Sequence, residues 1–68
     1  MFFTIKGELV NVNSIKKIRL DESSVVIEWQ DNSLRTKLKC GSASHAQGEY
    51  NSFMEFLKKN NLIYNFNI

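Results

Sequence analysis

The chain has no proline, one cysteine, one histidine and three glycines in 68 residues. Each scarcity excludes something. Cys40 alone cannot form an internal disulfide, and Cys40 with His45 provides too few nitrogen and sulfur ligands for a structural zinc site. Gly7, Gly41 and Gly48 stand apart from one another, so there is no glycine-rich loop to cradle phosphate. No apolar run approaches the ~20 residues that span a bilayer, which argues against a membrane protein. The first residues, Met1-Phe2-Phe3-Thr4-Ile5-Lys6, lack the basic region and the apolar stretch of about 7–15 residues that mark a signal peptide. With a lone thiol, this leads to an expected cytoplasmic location. No metal and no cofactor is expected.

Residues 1–68 make one small domain. A chain of this length buries only about 60% of its unfolded surface. Without staples, stability must come from a well-packed small core or from self-association. The net charge of +2 is too small for the chain as a whole to read as a nucleic-acid binder. Any such reading rests on where the charges sit.

What is present is a strong alternation. Lys16-Lys17-Ile18-Arg19-Leu20, Val25-Val26-Ile27-Glu28-Trp29-Gln30 and Ser33-Leu34-Arg35-Thr36-Lys37-Leu38-Lys39 read as a three-stranded meander, joined by turns at Asp21-Glu22-Ser23-Ser24 and Asp31-Asn32. A two-residue loop at Asp31-Asn32 pairs Trp29 with Leu34, Ile27 with Thr36 and Val25 with Leu38. A four-residue loop at residues 21–24 pairs Leu20 with Val25 and Ile18 with Ile27. Both turns give the same inward set, and a one-residue slip in either would carry charge into the core. Glu28 then lies in a row between Lys17 and Arg35.

The flanking segments complete the domain. Residues 2–12 read as a hairpin turning at Lys6-Gly7, since glycine supplies the positive φ of a tight turn. Cys40-Gly41-Ser42-Ala43-Ser44 reads as a loop. A helix follows, from about residues 45–49 to residue 60, with Ser44-x-x-Gln47 as a capping box or Gly48 as N-cap. Tyr50, Phe53, Met54 and Leu57 form its apolar stripe, with Phe56 off centre and partly exposed. Residues 62–68 alternate Leu62, Tyr64, Phe66 and Ile68 with Ile63, Asn65 and Asn67. This is a closing strand that either completes the sheet or pairs with another molecule. The expected fold is α+β: an antiparallel, twisted sheet of about five strands (hairpin plus meander), one helix from the C-terminal half packed on one face, and a short closing strand. The expected core is Ile18, Leu20, Val25, Ile27, Trp29, Leu34, Leu38, Tyr50, Phe53, Met54, Leu57, Tyr64 and Phe66.

Ile5-Lys6-Gly7, then Val10-Asn11-Val12-Asn13-Ser14-Ile15 and Ile18, then Trp29-Gln30-Asp31-Asn32 and the helix at 50–57, follow an order that resembles a class of short bacterial and phage-borne domains. These domains are similar to a truncated pleckstrin-homology-like sheet capped by one helix. The resemblance runs to Leu62, and the strand at 62–68 departs from it. It implies a small binding or accessory protein, often of mobile-element origin, and it carries no catalytic residues.

Three candidate sites emerge. The outward meander face collects Lys17, Arg19, Arg35, Lys37 and Lys39 against Glu28, a surface for a protein partner or for nucleic-acid phosphates. It lacks the outward aromatics on which single-stranded bases stack, and its plain alternative is a solvated face that discourages edge pairing. The terminal strand and the sheet edge invite β-augmentation or a homodimer. Cys40 and His45 are the one pair with nucleophilic potential, but nothing in the sequence enforces contact between them. No two carboxylates form an acid–base pair. The expected function is therefore a non-enzymatic protein-interaction module, such as a phage or mobile-element accessory or inhibitor protein. Nucleic-acid binding through the basic face is the alternative.

Overall fold

The computed structural model describes residues 1–31, 34–59 and 63–66. Among these residues it is a mixed-sheet domain of six strands with one helix packed against them. Strands β1 (Phe2–Ile5) and β2 (Glu8–Asn11) form the expected hairpin. A single 3-10 turn at Val12–Ser14 redirects the chain into β3 (Ile15–Asp21), β4 (Ser24–Trp29) and β5 (Arg35–Lys39). Helix α1 (Ala43–Lys59) and closing strand β6 (Ile63–Asn65) follow. The strands divide into two three-stranded sheets, a mixed sheet in the order β2-β1-β6 and an antiparallel meander in the order β3-β4-β5.

The turns explain the hairpins. Lys6 and Gly7 both take positive φ, 50° and 83°, the signature of the type I′ turn whose twist matches paired strands. Between β3 and β4 the ladder runs to Asp21↔Ser24, so the loop is only Glu22-Ser23, with Glu22 at φ 56°. The four-residue loop expected at 21–24 is thus two residues shorter, and Asp21 is a strand residue. The remaining register is as expected: Leu20↔Val25, Ile18↔Ile27 and Lys17↔Glu28 on one side, Val25↔Leu38, Ile27↔Thr36 and Glu28↔Arg35 on the other. A bulge between Ile15 and Lys17 absorbs Lys16, leaving Ile15 packed on the core while Lys17 stays exposed. The expected turn at Asp31-Asn32 falls partly outside the described residues, as Asn32 does.

The closing strand pairs within the chain, parallel to β1, with Phe2↔Ile63, Phe3↔Tyr64 and Thr4↔Asn65. The N–H of Phe66 donates to the Thr4 carbonyl at 3.2 Å and extends that ladder. Tyr64 and Phe66 turn inward as expected, whereas Leu62, Asn67 and Ile68 lie outside the described residues.

Helix α1 starts earlier than expected. Ser42 is its cap: the Ser42 hydroxyl accepts from the His45 N–H at 3.1 Å, and its carbonyl accepts from Ala46 at 3.0 Å. Neither Ser44 nor Gly48 caps it, and Gly48 lies inside the helix. The earlier start brings Ala46 into the stripe, whose buried members are Ala46, Phe53 and Phe56, with Tyr50 and Leu57 packed alongside. Phe56 is therefore core rather than partly exposed, and Met54 falls to the margin, half-buried and outside the packed set.

The core is aromatic and centred on Phe3, which is fully buried. Its ring meets Phe53 at 5.3 Å and Phe66 at 5.8 Å edge to face, and stacks on Trp29 at 6.5 Å. Edge-to-face and offset-stacked pairs suit the ring quadrupole. Val25, Ile27 and Leu38 supply the meander's share, and Cys40 and Ala46 fill in at the base of the helix. Leu34 is the clear departure, 71% exposed. The β4–β5 ladder ends at Glu28↔Arg35, one residue short of carrying Leu34 inward, and the Trp29 indole N–H donates instead to Thr36 Oγ1 at 3.0 Å.

Candidate interaction surfaces

The meander's outward face is built by cross-strand rows. Lys17, Glu28 and Arg35 form one, Arg19, Val26 and Lys37 the next, and Asp21, Ser24 and Lys39 the third. All five expected basic residues, Lys17, Arg19, Arg35, Lys37 and Lys39, are thus brought together. Two of them are engaged. Arg19 Nε lies 3.5 Å from Glu28 Oε2, and Lys37 Nζ lies 3.7 Å from Asp21 Oδ2. These diagonal ion pairs are half-exposed and are worth ~0–1 kcal/mol each. Val26, set between Arg19 and Lys37 in its row, is only 1% exposed although its place in the alternation is on the outward face.

The outward face of the mixed sheet has the opposite character. Alternation along β1, β2 and β6 places Phe2, Thr4, Leu9, Asn11, Ile63 and Asn65 on it, in the rows Asn11–Phe2–Ile63 and Leu9–Thr4–Asn65. None of these six is charged. Phe2 is 43%, Leu9 61% and Ile63 52% exposed. Thr4 Oγ1 donates to Asn65 Oδ1 at 2.8 Å, which fixes the centre of the face. Sequence reasoning missed this surface. The available signal was the adjacent apolar pairs Phe2-Phe3 and Leu9-Val10: in a strand with one buried face, one member of each pair must point out.

Between the two sheets lies a cleft of about 200 Å³ lined by Ile5, Lys6, Glu8, Val10, Trp29 and Thr36. It is smaller than the ~300 Å³ at which small-molecule sites begin and has room for about one large side chain.

Cys40 and His45 are not assembled into a dyad. Cys40 is buried, and its thiol lies 3.5 Å from the Leu38 carbonyl. Burial, and then the charge of Glu49, push that thiol up from its ordinary value, against a smaller effect of the Val25 backbone hydrogen bond. An activated nucleophile needs the reverse shift. His45 pairs with Glu49 instead, at 3.8 Å one helical turn on. Glu49 also accepts from Tyr64 at 2.9 Å, tying β6 to α1. The phenol of Tyr64 is pushed up to about 12, first by burial, then by the hydrogen bond and charge of Glu49, with a hydrogen bond to Ser52 opposing.

Among the described residues no three His, Cys, Asp or Glu side chains cluster as a metal site, and no helix is long and apolar enough to cross a membrane. Compared with protein-family models, with curated proteins and with solved structures, the chain matches none.

Proposed function

We propose that this protein is a small interaction module that docks a protein partner on the outward face of the mixed sheet. One observation carries the reading: Phe2, Leu9 and Ile63 stand exposed together on a face with no charged residue. Grouped exposed apolar side chains mark contact surfaces more often than scattered ones do. The interior is already filled by a separate aromatic set, so these three side chains add nothing to the core. The unpaired Cys40 suits a reducing cytoplasm, and the resemblance to phage-borne domains supports an accessory or inhibitor role.

The test compares two double variants as baits in the native host. Phe2→Ser/Ile63→Ser removes apolar area from the mixed sheet, and Arg35→Ala/Lys37→Ala removes charge from the meander. A partner retained by the wild type and the meander variant, and lost by the mixed-sheet variant, supports the proposal. A partner lost only with the meander variant overturns it.

Nucleic-acid binding is the second reading, favoured by the presence of Lys17, Arg19, Arg35, Lys37 and Lys39 on one face. It is weakened by the engagement of Arg19 and Lys37 and by the inward stacking of Trp29 on Phe3. It requires oligonucleotide affinity that falls steeply with salt.

A further inference from the structure

Hydrogen bonds alternate along an antiparallel ladder, and in the first hairpin the alternation shows which backbone groups of β2 face its open edge. The Val12 N–H donates to the Met1 carbonyl at 3.0 Å, so Phe3–Val10 and Ile5–Glu8 are the bonded pairs of the same ladder. The N–H and C=O groups of Leu9 and Asn11 therefore point away from β1. The Asn11 carbonyl accepts from the Ser14 hydroxyl at 2.6 Å. Leu9 keeps both its groups at the edge, where among the described residues β2 has no strand partner besides β1.

The residues on either side of Leu9, Glu8 and Val10, line the cleft between the two sheets with Ile5, Lys6, Trp29 and Thr36. The cleft measures about 200 Å³. An apolar cavity of about 150 Å³ takes one benzene, so this one takes a single phenyl- or leucyl-sized group against Ile5, Val10 and Trp29. The Trp29 indole is fixed as its wall by the stack on Phe3 and the hydrogen bond to Thr36. The other outer strands lack this combination. Strands β3 and β5 present the cations of the meander face. Strand β6 carries no cation, but its inward residue Tyr64 is packed against Phe53, Phe56 and Phe66 and bonded to Glu49, so the core fills the space beside it.

We infer that an extended segment of a protein partner adds to β2 as a further strand, bonding the Leu9 N–H and C=O and placing one bulky apolar side chain in the cleft. Two observations point to this occupant. The donor and acceptor of Leu9 fit an extended backbone, and the cleft beside them fits one apolar group. Alternation joins the two. The partner residue opposite Leu9 lies with it on the uncharged outward face, and the next residue lies beside Val10 or Glu8 and faces the cleft. Directly opposed Cβ atoms are about 4.5–5.5 Å apart, close enough for a long side chain to enter. In this mode main-chain hydrogen bonds supply affinity and the pocket selects the side chain. A second copy of β2 would bring only Glu8 or Val10 to that position, a charge or a short side chain, so the segment belongs to another protein. The inference rests on the reading of the mixed sheet as a docking face, and it names what binds there: a strand with an apolar anchor.

Trp29 is the chain's one tryptophan, so its fluorescence reports on the cleft. The probe is a short acetylated and amidated peptide of threonines with one central phenylalanine, titrated into the full chain beside the same peptide with serine at the centre. The phenylalanine peptide is expected to change the emission saturably, and the serine peptide to bind at least about tenfold more weakly. Methylating the backbone nitrogens of the phenylalanine and its two neighbours removes the strand's donors and is expected to weaken binding by at least about tenfold. Leu9→Pro removes the edge N–H and leaves the ladder with β1 in place; with the fold checked by circular dichroism, it is expected to do the same. Arg35→Ala/Lys37→Ala is expected to bind as the wild type does. No saturable change up to about millimolar peptide, equal affinity of the phenylalanine and serine peptides, or undiminished affinity of the methylated peptide overturns the inference. If that result came with partner loss in the Phe2→Ser/Ile63→Ser bait, only the strand addition would fall and the docking face would stand.

Discussion

Phe3 and Trp29 stack with ring planes 5° apart and centroids 6.5 Å apart, and this contact joins the mixed sheet to the meander. Phe3 also meets Phe53 of the helix and Phe66 beyond the closing strand. One side chain near the start of the chain thus bridges every layer. A domain of this size has about 3–10 kcal/mol of total stability. Phe3→Ala should cost about 3–5 kcal/mol and leave much of the population unfolded at 25 °C. Phe2→Ala, one residue away on the outward face, should cost under ~1 kcal/mol. Urea melts of the two variants check the contrast, and similar losses would mean the strand's faces are assigned the wrong way round.

Both hairpin turns favour glycine, so a substitution that removes it and one that introduces it have opposite signs. Gly7 sits at φ 83° with open space where a Cβ would stand, so Gly7→Ala should destabilise through backbone strain alone, by about 1 kcal/mol. Glu22 occupies φ 56° without being glycine, and Glu22→Gly should stabilise by up to ~1 kcal/mol. Thermal melts read both, and a destabilised Glu22→Gly would point to a contact of the Glu22 side chain outweighing the strain.

Tyr64 gives the fold an alkaline limit. Its phenol titrates near 10 when exposed and at about 12 in the folded chain, held neutral by burial and by Glu49. Between these values the unfolded chain has lost a proton that the folded chain keeps, so stability is full below pH 10 and falls as pH rises toward 12. Tyr64→Phe should remove this phase. It should also lower stability at neutral pH by about 1–2 kcal/mol, through loss of the hydrogen bond to Glu49. Urea midpoints measured against pH for both proteins check the sign. A wild type as stable above pH 11 as at neutrality would contradict it, because pH 11 lies inside the interval between 10 and 12.

Cys40 should behave as a buried structural thiol. Its burial and raised pKa predict slow alkylation in the native protein and ordinary rates in urea. Iodoacetamide labelling across a urea series reads the difference. Native labelling faster than that of a free thiol would assign Cys40 a chemical role.

The meander was legible in the sequence because two turns independently demanded one register. Its basic face was legible from the same parity. Its partial neutralisation was not, because Asp21 reads as a turn residue until Glu22 is found at a positive φ that few glutamates adopt. That φ shortens the loop and returns Asp21 to the strand, within reach of Lys37. The helix start was hidden by Gly48, a poor helix residue whose local cost is outweighed by burial of Ala46 two residues earlier. Phe3 escaped the expected core for another reason. In Phe2-Phe3 local sequence cannot say which ring is inside, and the answer comes from parallel pairing with Ile63–Asn65, at the far end of the chain. The uncharged face depends on that same long-range contact: the pairs Phe2-Phe3 and Leu9-Val10 signal that one apolar residue of each points out, but not which.

On the proposed function, contacts are made through the mixed sheet and not through the basic face. A backbone amide chemical-shift map recorded while the partner retained by the wild-type bait is titrated in distinguishes the two faces. Shifts at Phe2, Thr4, Leu9 and Ile63 are expected, with Lys17, Arg19, Arg35, Lys37 and Lys39 unmoved. Shifts confined to those five basic residues would contradict the proposal.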